Sequence, residues 1–300
     1  MENKIVLELS SVDMRFGGVM ALSNVSFKVQ RGSLTGIIGP NGAGKTTVYN
    51  IISGVYKPSS GTVFFMDQDI TALRPHQITH LGIARTFQNL RLFARSSALE
   101  NVMTAAQNRY RTSFREAMFR GYLVPAARPD DDYRYSFLEA SLHVGRWGRV
   151  ERRLREKGME LLERVGLADR AEQAAGTLPY GMQRRLEIAR ALALGPKLLM
   201  LDEPAAGMNP EEVLELNGLI TGIHRDFGLT TLVIEHHMNM ILNICSHVIC
   251  LNFGAKLFDS ESDEDVDIME IAKVREAVQH NKDVLAAYLG SDDAEEGEAV

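Results

Sequence analysis

The sequence predicts an α/β fold with a mainly parallel sheet covered by helices, and three observations carry that expectation. A short apolar strand, Leu34 to Ile38, runs into the glycine-rich segment Gly39-Pro40-Asn41-Gly42-Ala43-Gly44-Lys45-Thr46, which is followed by a helical pattern to Ser53. From Leu178 to Leu251 helices alternate with apolar strands, which implies parallel pairing with helical crossovers. Between about Ser97 and Ala174 that alternation stops, and a stretch dense in Arg and Glu reads as a separate helical lobe.

The elements follow in order. Ile5 to Leu9 and the alternating segment Val25 to Val29 read as short strands, separated from each other and from Leu34 to Ile38 by the turn signals Gly17-Gly18 and Arg31-Gly32. Pro58-Ser59-Ser60-Gly61 is a turn before a further strand, Thr62 to Phe65. In the helical lobe Trp147, Val150, Leu154, Leu161, Leu162 and Val165 mark one apolar face, and Pro125 with Pro129 to Asp132 divides the lobe into two or more helices. Beyond Leu178 come a helix, the strand Lys197 to Leu201, a helix from about Glu211 to Arg225, the strand Thr230 to Ile234, a helix, and the strand His247 to Leu251. Asp259, Glu261, Asp263, Glu264, Asp265 and Asp267 predict a solvated acidic loop, with a short helical stretch to Tyr288 after it. Ser291 to Val300 is acidic, almost without apolar residues, and expected to be disordered.

Composition narrows the function classes. A chain of 300 residues, 45% hydrophobic and 24% charged, suffices for one sizeable core and a smaller lobe. A net charge of -6 argues against general nucleic-acid binding, which needs clustered Lys and Arg. The start, MENKIVLELS, lacks the apolar core of a signal peptide, so a cytoplasmic protein is expected. The most apolar stretch, Met240 to Leu251, falls well short of the roughly 20 residues of a membrane span, so a membrane would be reached only through a partner. Cys245 and Cys250 lack zinc-like spacing and read as two reduced, buried thiols.

Three segments carry chemistry. Gly39 to Thr46 matches G-x-x-x-x-G-K-[ST] in full: glycines let the backbone curl so that successive N–H groups face phosphate oxygens, with the positive end of the following helix behind them. Lys45 then neutralises the outer phosphates, and the Thr46 hydroxyl is a magnesium ligand. The run Lys197 to Pro204 reads as a buried strand that delivers Asp202 and Glu203 at its carboxyl end, where open parallel sheets bind ligands. There Asp202 is expected to hold magnesium through water, and Glu203 to orient and polarise the attacking water. Third, Leu178-Pro179-Tyr180-Gly181-Met182-Gln183 makes a tight turn into a long amphipathic helix.

Taken in order, the phosphate loop, Gln88, the helical insertion, the Leu178 to Arg190 segment, Leu201-Asp202-Glu203-Pro204 and Ile234-Glu235-His236 resemble the nucleotide-binding subunits of ATP-binding cassette (ABC) transporters, over roughly residues 4–258. The resemblance implies a P-loop NTPase core in residues 1–258 with a mainly parallel sheet, an N-terminal antiparallel β subdomain and an inserted helical subdomain at about 97–190. It also implies ATP and Mg²⁺ as cofactors. Phe16 would stack on adenine, and Gly39, Pro40, Asn41, Gly42, Ala43, Gly44, Lys45, Thr46 and Thr47 would hold the phosphates. Gln88 would meet magnesium and the water while touching a membrane subunit, His236 would contact the γ-phosphate, and Gly181 would face the nucleotide of an opposite subunit. Departures from the family pattern are Pro179 for Ser, Tyr180 and Met182 for Gly and Gln, Asn209 for Asp, and His237 for Asp. Pro179 offers no hydroxyl, which implies a weaker phosphate contact at that point.

Within the family, Arg85 to Phe93, Tyr180-Gly181, Ala205 to Pro210 and Ala287-Tyr288-Leu289-Gly290 look like the larger ATPase subunit of branched-chain amino-acid importers, which the long insertion around Arg109 to Arg155 also suits. That likeness implies a second homologous ATPase (or a second copy), two transmembrane permeases, a periplasmic solute-binding protein acting indirectly, no nucleic acid, and a place on the inner face of the cell membrane. Importers of urea, amides or other polar solutes remain open. A permease-free ABC ATPase is a further reading, against which stand the single phosphate loop and the lack of sustained heptads. A regulatory module that binds ATP without turnover is suggested by Pro179 and Met182, while Glu203, His236 and Gln88 favour hydrolysis.

Overall fold

The computed structural model of the protein describes residues 4–107, 146–260 and 271–295. The chain forms two compact units, Met1–Asn89 with Pro196–Val300, and Leu90–Gly195.

In the first unit, β1 (Ile5–Phe16), β2 (Val19–Gln30), β4 (Ser60–Phe65) and β5 (Gln68–Asp69) form an antiparallel sheet in the order β2-β1-β4-β5. The sequence suggested short strands at Ile5 to Leu9 and Val25 to Val29, whereas β1 and β2 each run for 12 residues. Bulges account for the difference. The register shifts between Leu9 and Val12, and Ser11 and Asn24 adopt positive φ of 48° and 49°. An extra residue reverses the inside-outside alternation, so the period-2 signal stops while the strand continues. Polar side chains close the irregular points: Ser11 N–H donates to Ser26 Oγ (2.7 Å), and Asn24 N–H to Asp13 Oδ1 (2.7 Å).

The second sheet has the order β10-β9-β3-β8-β7-β6, from β3 (Leu34–Ile38), β6 (Ile83–Arg85), β7 (Leu198–Asp202), β8 (Thr230–Ile234), β9 (His247–Asn252) and β10 (Ala255–Asp259). Only β10 is antiparallel to its neighbour. Every residue of β3, β7 and β8 is buried, as the largely apolar sequence of central parallel strands leads one to expect, and Thr35, Asp202, Thr230 and Thr231 are buried with the rest. The helices of this unit are α1 (Lys45–Ile52), α2 (Pro75–Leu81), α6 (Pro210–Phe227), α7 (Met238–Ile244), α8 (Ile271–His280) and α9 (Lys282–Glu295). One core spans both sheets, including Leu7, Leu9 and Val25 from the first and Ile37, Met200 and Ile234 from the second, with Tyr49 and Ile52 of α1 among them.

Two expectations at the carboxyl end are corrected. Asp259 is the last residue of β10 and is buried; it does not open a solvated loop. Its carboxylate lies 2.8 Å from His247 Nε2 and 2.9 Å from Lys256 Nζ. The other His247 nitrogen lies 3.2 Å from Thr35 Oγ1, so the cluster ties β10 and β9 to β3. The remaining acids, Glu261 to Asp267, lie outside the described residues. Helix α9 reaches Glu295, so Ser291–Glu295 are helical rather than disordered. It starts from an Asn281 cap, whose Oδ1 accepts from Asp283 N–H (3.1 Å) and Val284 N–H (3.0 Å), and a capped helix propagates through polar sequence one hydrogen bond per residue.

The second unit contains α3 (Ala98–Gln107), α4 (Arg146–Arg164) and α5 (Tyr180–Ala193), with α3 packed on both others. Val150, Leu154, Leu161, Leu162 and Val165 of the apolar face read from the sequence are buried, and the side chain of Trp147 lies outside what the structure describes. Pro125 and Pro129 to Asp132 lie outside the described residues. Ser97 and Glu100 form a capping box at α3, with Glu100 N–H donating to Ser97 Oγ (3.1 Å) and Ser97 N–H to Glu100 Oε2 (2.8 Å). Buried Asn101 accepts from Phe93 N–H (2.9 Å) and donates to Phe93 O (3.1 Å), which fixes the segment before α3.

Candidate functional site

The phosphate-loop segment leaves the sheet where β3 ends between β8 and β9. Gly39 has φ +149° and a Cβ there would press into the Leu251 carbonyl; Gly44 has φ +99° and its Cβ would stand 2.7 Å from Leu22 Cδ2 and 3.0 Å from Ala21 O. Both space and dihedral therefore demand glycine at these two positions. Helix α1 begins directly after Gly44, with Thr46 exposed and Thr47 half-buried in its first turn. Lys45 is buried at 6% exposure, and its Nζ donates to Gly39 O (2.5 Å) and Pro40 O (2.9 Å), which fixes the ammonium against the loop. Burial lowers its pKa, opposed first by the negative charge of Glu203. Tyr49 anchors the helix, its hydroxyl donating to Leu232 O (2.6 Å) in the middle of β8, with Leu201 O of β7 at 3.1 Å.

Strand β7 delivers Asp202 and then Glu203. Asp202 is buried, and its Oδ2 accepts from Arg85 Nη2 at 2.6 Å. The same guanidinium donates to Asn50 Oδ1 (2.7 Å) and Ser53 Oγ (2.9 Å) of the α1 region and lies over the rings of Tyr49 and Phe87. Arg85 thus locks β6, α1 and β7 around one carboxylate. Glu203 has a positive φ of 45°, a conformation that costs a non-glycine residue about 1–3 kcal/mol and that collects at functional sites. Its N–H donates to Ile234 O (3.0 Å), and its Oε2 accepts from Gln88 Nε2 (2.7 Å).

At the end of β8, Glu235 is fully buried. Its Oε1 accepts from Ala205 N–H (2.8 Å), while Oε2 lies 3.2 Å from His237 Nδ1 and 3.8 Å from His236 Nδ1. The two imidazoles are stacked at a tilt, centroids 4.0 Å apart, and both are exposed. His237, without a role in the sequence reading, is therefore a partner of the Glu235 carboxylate that orients this corner.

The first unit holds Phe16, Gly39 to Thr47, Gln88, Asp202, Glu203 and His236; Gly181 is the second residue of α5 in the other unit. Gln88 and Glu203, both assigned to one water in the sequence reading, are joined directly by a hydrogen bond. Phe16 ends β1, is 43% exposed as a residue, and meets Tyr56 edge-on, centroids 5.2 Å apart at 74°. Pro179 is the N-cap of α5 with φ −52°, an angle its ring imposes, and it supplies no side-chain cap. Tyr180 lies under the Arg184 guanidinium, and its hydroxyl accepts from Arg184 Nε (3.2 Å). Asn209 is the N-cap of α6, its Oδ1 accepting from the N–H groups of Glu211 and Glu212 (3.0 Å each), a task that Asn and Asp perform equally well. Arg85, Tyr49, Glu235 and Tyr56 went unassigned in the sequence. Arg85 reaches Asp202, Tyr49 reaches Leu232, Tyr56 meets Phe16 and Glu235 accepts from Ala205, all pairs distant in sequence, so short motifs do not reveal these contacts.

Among the described residues no helix is long and apolar enough to cross a membrane. Both cysteines are free and buried, and burial pushes the Cys250 thiol up to about 12.

The family described as ABC transporter matches residues 22–206. The chain is 39% identical over 285 residues to the high-affinity branched-chain amino acid transport ATP-binding protein BraF of Pseudomonas aeruginosa, covering 95% of this chain and 98% of that one. It is 36% identical to the corresponding protein LivG of Escherichia coli strain K12, with the same coverage. Among solved structures, the ADP conformation of MJ1267, an ATP-binding cassette of an ABC transporter, superposes with a TM-score of 0.73 at 28% identity, covering 96% of this chain and all of that one. With the phosphate loop, the Asp202–Glu203 strand end and the inserted helical unit all in place, the chain belongs to the ABC transporter family.

Proposed function

We propose that the protein is the ATP-binding and ATP-hydrolysing subunit of an importer of branched-chain amino acids, as the names of its relatives suggest. The observation that carries hydrolysis rather than binding alone is the Gln88–Glu203 pair at 2.7 Å, in the same unit as the phosphate loop. Phe16 stacks on adenine, the Gly39 to Thr47 backbone cradles the phosphates, and Lys45 neutralises their charge. The loop fits such a ligand, because glycine dihedrals leave its backbone open and a buried cation is fixed on it. Thr46, Gln88 and Asp202 would supply oxygen donors to magnesium, which when bound would offset phosphate charge. Gln88 and Glu203 orient a water in line with the γ-phosphate, and a Glu203 carboxylate oxygen takes up its proton. His236 steadies the phosphate side of that water.

Gly181 belongs to a shared site, contributed to the nucleotide of an opposite ATPase, either a shorter homologue or a second copy. Two permeases receive the closure motion near Gln88 on the cytoplasmic face of the membrane, and a periplasmic binding protein supplies the solute indirectly. The ATP-binding domain extends over residues 1–258 with its helical subdomain at about 97–190. The test is Glu203→Gln in the assembled transporter: ATP affinity is retained and turnover falls by about 100-fold or more, the scale of a lost general base. Wild-type hydrolysis by that variant would remove Glu203 from the mechanism, and unchanged branched-chain amino-acid uptake in a strain lacking the gene would refute the solute.

A further inference from the structure

The carboxyl-terminal helix reaches the nucleotide site through one hydrogen bond that the proposed mechanism does not use. Gly39, the first residue of the phosphate loop, donates its N–H to the hydroxyl of Tyr288 at 2.8 Å. Tyr288 belongs to α9, whose buried anchor Val284 lies one turn earlier, so the two side chains share a face of the helix. Helix α9 packs on β10, and the turn between β9 and β10 adds a second brace, Gly254 N–H to Ala43 O at 3.1 Å. The two polar groups of Gly39 are thus divided between the helix and the loop lysine, Lys45. Its N–H meets Tyr288, and its carbonyl accepts from Lys45 Nζ. The glycine has little freedom to turn elsewhere, because the Leu251 carbonyl occupies the place where a Cβ would stand. Burial raises the Tyr288 pKa well above the usual phenol value, so the hydroxyl is intact at neutral pH.

We propose that Tyr288 is a positioning residue of the phosphate loop: by fixing the Gly39 peptide it fixes Lys45, and through it α9 sets the affinity of the site for ATP. The proposal rests on the reading that Gly39 to Thr46 binds the nucleotide. Tyr288→Phe keeps the ring and removes the acceptor. Binding of ATP to the full-length chain, followed by calorimetry, is expected to weaken about fivefold, the equivalent of about 1 kcal/mol for one neutral hydrogen bond. In the assembled transporter KM for ATP rises by a similar factor while kcat at saturating ATP stays within about twofold, a split that a general loss of folded protein would not produce. Unchanged ATP affinity in Tyr288→Phe, with binding lost in Lys45→Ala, overturns the role of Tyr288 and leaves the loop assignment standing. Unchanged affinity in both variants overturns the loop assignment and the proposal together. Amide exchange in the unmutated protein gives a second measurement that needs no variant: Gly39 N–H is expected to exchange as slowly as that of Ile38 in β3, and exchange at the rate of an exposed amide overturns the proposal.

Discussion

Replacing Arg85 by Gln tests whether the buried ion pair organises the catalytic end of the sheet. The Arg85–Asp202 pair is 2.6 Å long, with side-chain exposures of 8% and 4%. In Arg85→Gln the Asp202 carboxylate stays buried and loses its countercharge, while Asn50 and Ser53 each lose a donor. Breaking a buried pair from one side costs about 3–5 kcal/mol, because the remaining charge keeps its desolvation penalty without its partner. With an unfolding entropy of about 2.1 cal/mol/K per residue over about 200 residues, the first unit would lose about 7–12 °C in Tm. The assay is urea and thermal unfolding of the wild type, Arg85→Gln, Asp202→Asn and the double variant. The double variant removes both charges, so it is expected to be less destabilised than the sum of the singles by more than 1 kcal/mol. A loss below about 1 kcal/mol for Arg85→Gln, or additivity within about 0.5 kcal/mol, would refute the argument that this pair carries a large coupling.

Three further outcomes are expected. The folded-state pKa of Asp259 is lowered from 3.8: burial would raise it, and the hydrogen bonds and charges of His247 and Lys256 outweigh that. A depressed carboxylate contributes stability above its unfolded pKa and loses it as pH falls through the folded value, so the unfolding free-energy gap between wild type and Asp259→Asn should shrink as pH drops below about 4. A gap constant from pH 7 to pH 3 would contradict this. Pro179→Ser puts a hydroxyl at the N-cap of α5, so a gain of about 1 kcal/mol in stability with ATPase activity maintained or raised is expected; a large loss of activity would show that the ring of Pro179 has a structural task of its own. At the N-cap of α6, Asn209→Ala should cost about 1 kcal/mol in chemical denaturation and Asn209→Asp almost nothing, and equal losses in the two would rule out capping as the reason for Asn at this position.

Much of the architecture is legible along the chain because it depends on local periodicity and short motifs. The runs Leu34 to Ile38 and Thr230 to Ile234 coincide with β3 and β8, since a strand buried on both faces is mostly apolar, and these two carry only polar groups as small as the Thr hydroxyl. Gly39 to Thr46 is likewise readable, because a loop that curls around phosphate needs glycine where other residues would clash. The long strands of the antiparallel sheet were underestimated because Ser11 and Asn24 break the alternation on which strand reading depends. Asp259 misled for a different reason: an acid beside other acids looks solvated, and its burial follows from His247 across the β9–β10 hairpin and Lys256 three residues back on its own strand.

The sequence by itself determined that a nucleotide-phosphate loop sits in a parallel α/β sheet, with Glu203 at the end of a buried strand and a helical unit inserted between them. These features are written in contiguous residues. Only the tertiary structure decided who holds that site together. Arg85 grips Asp202 across 117 positions, and Tyr288 meets Gly39 across 249. Such pairs leave no periodic trace, because folding brings their backbones together and neither partner constrains its own neighbours in sequence.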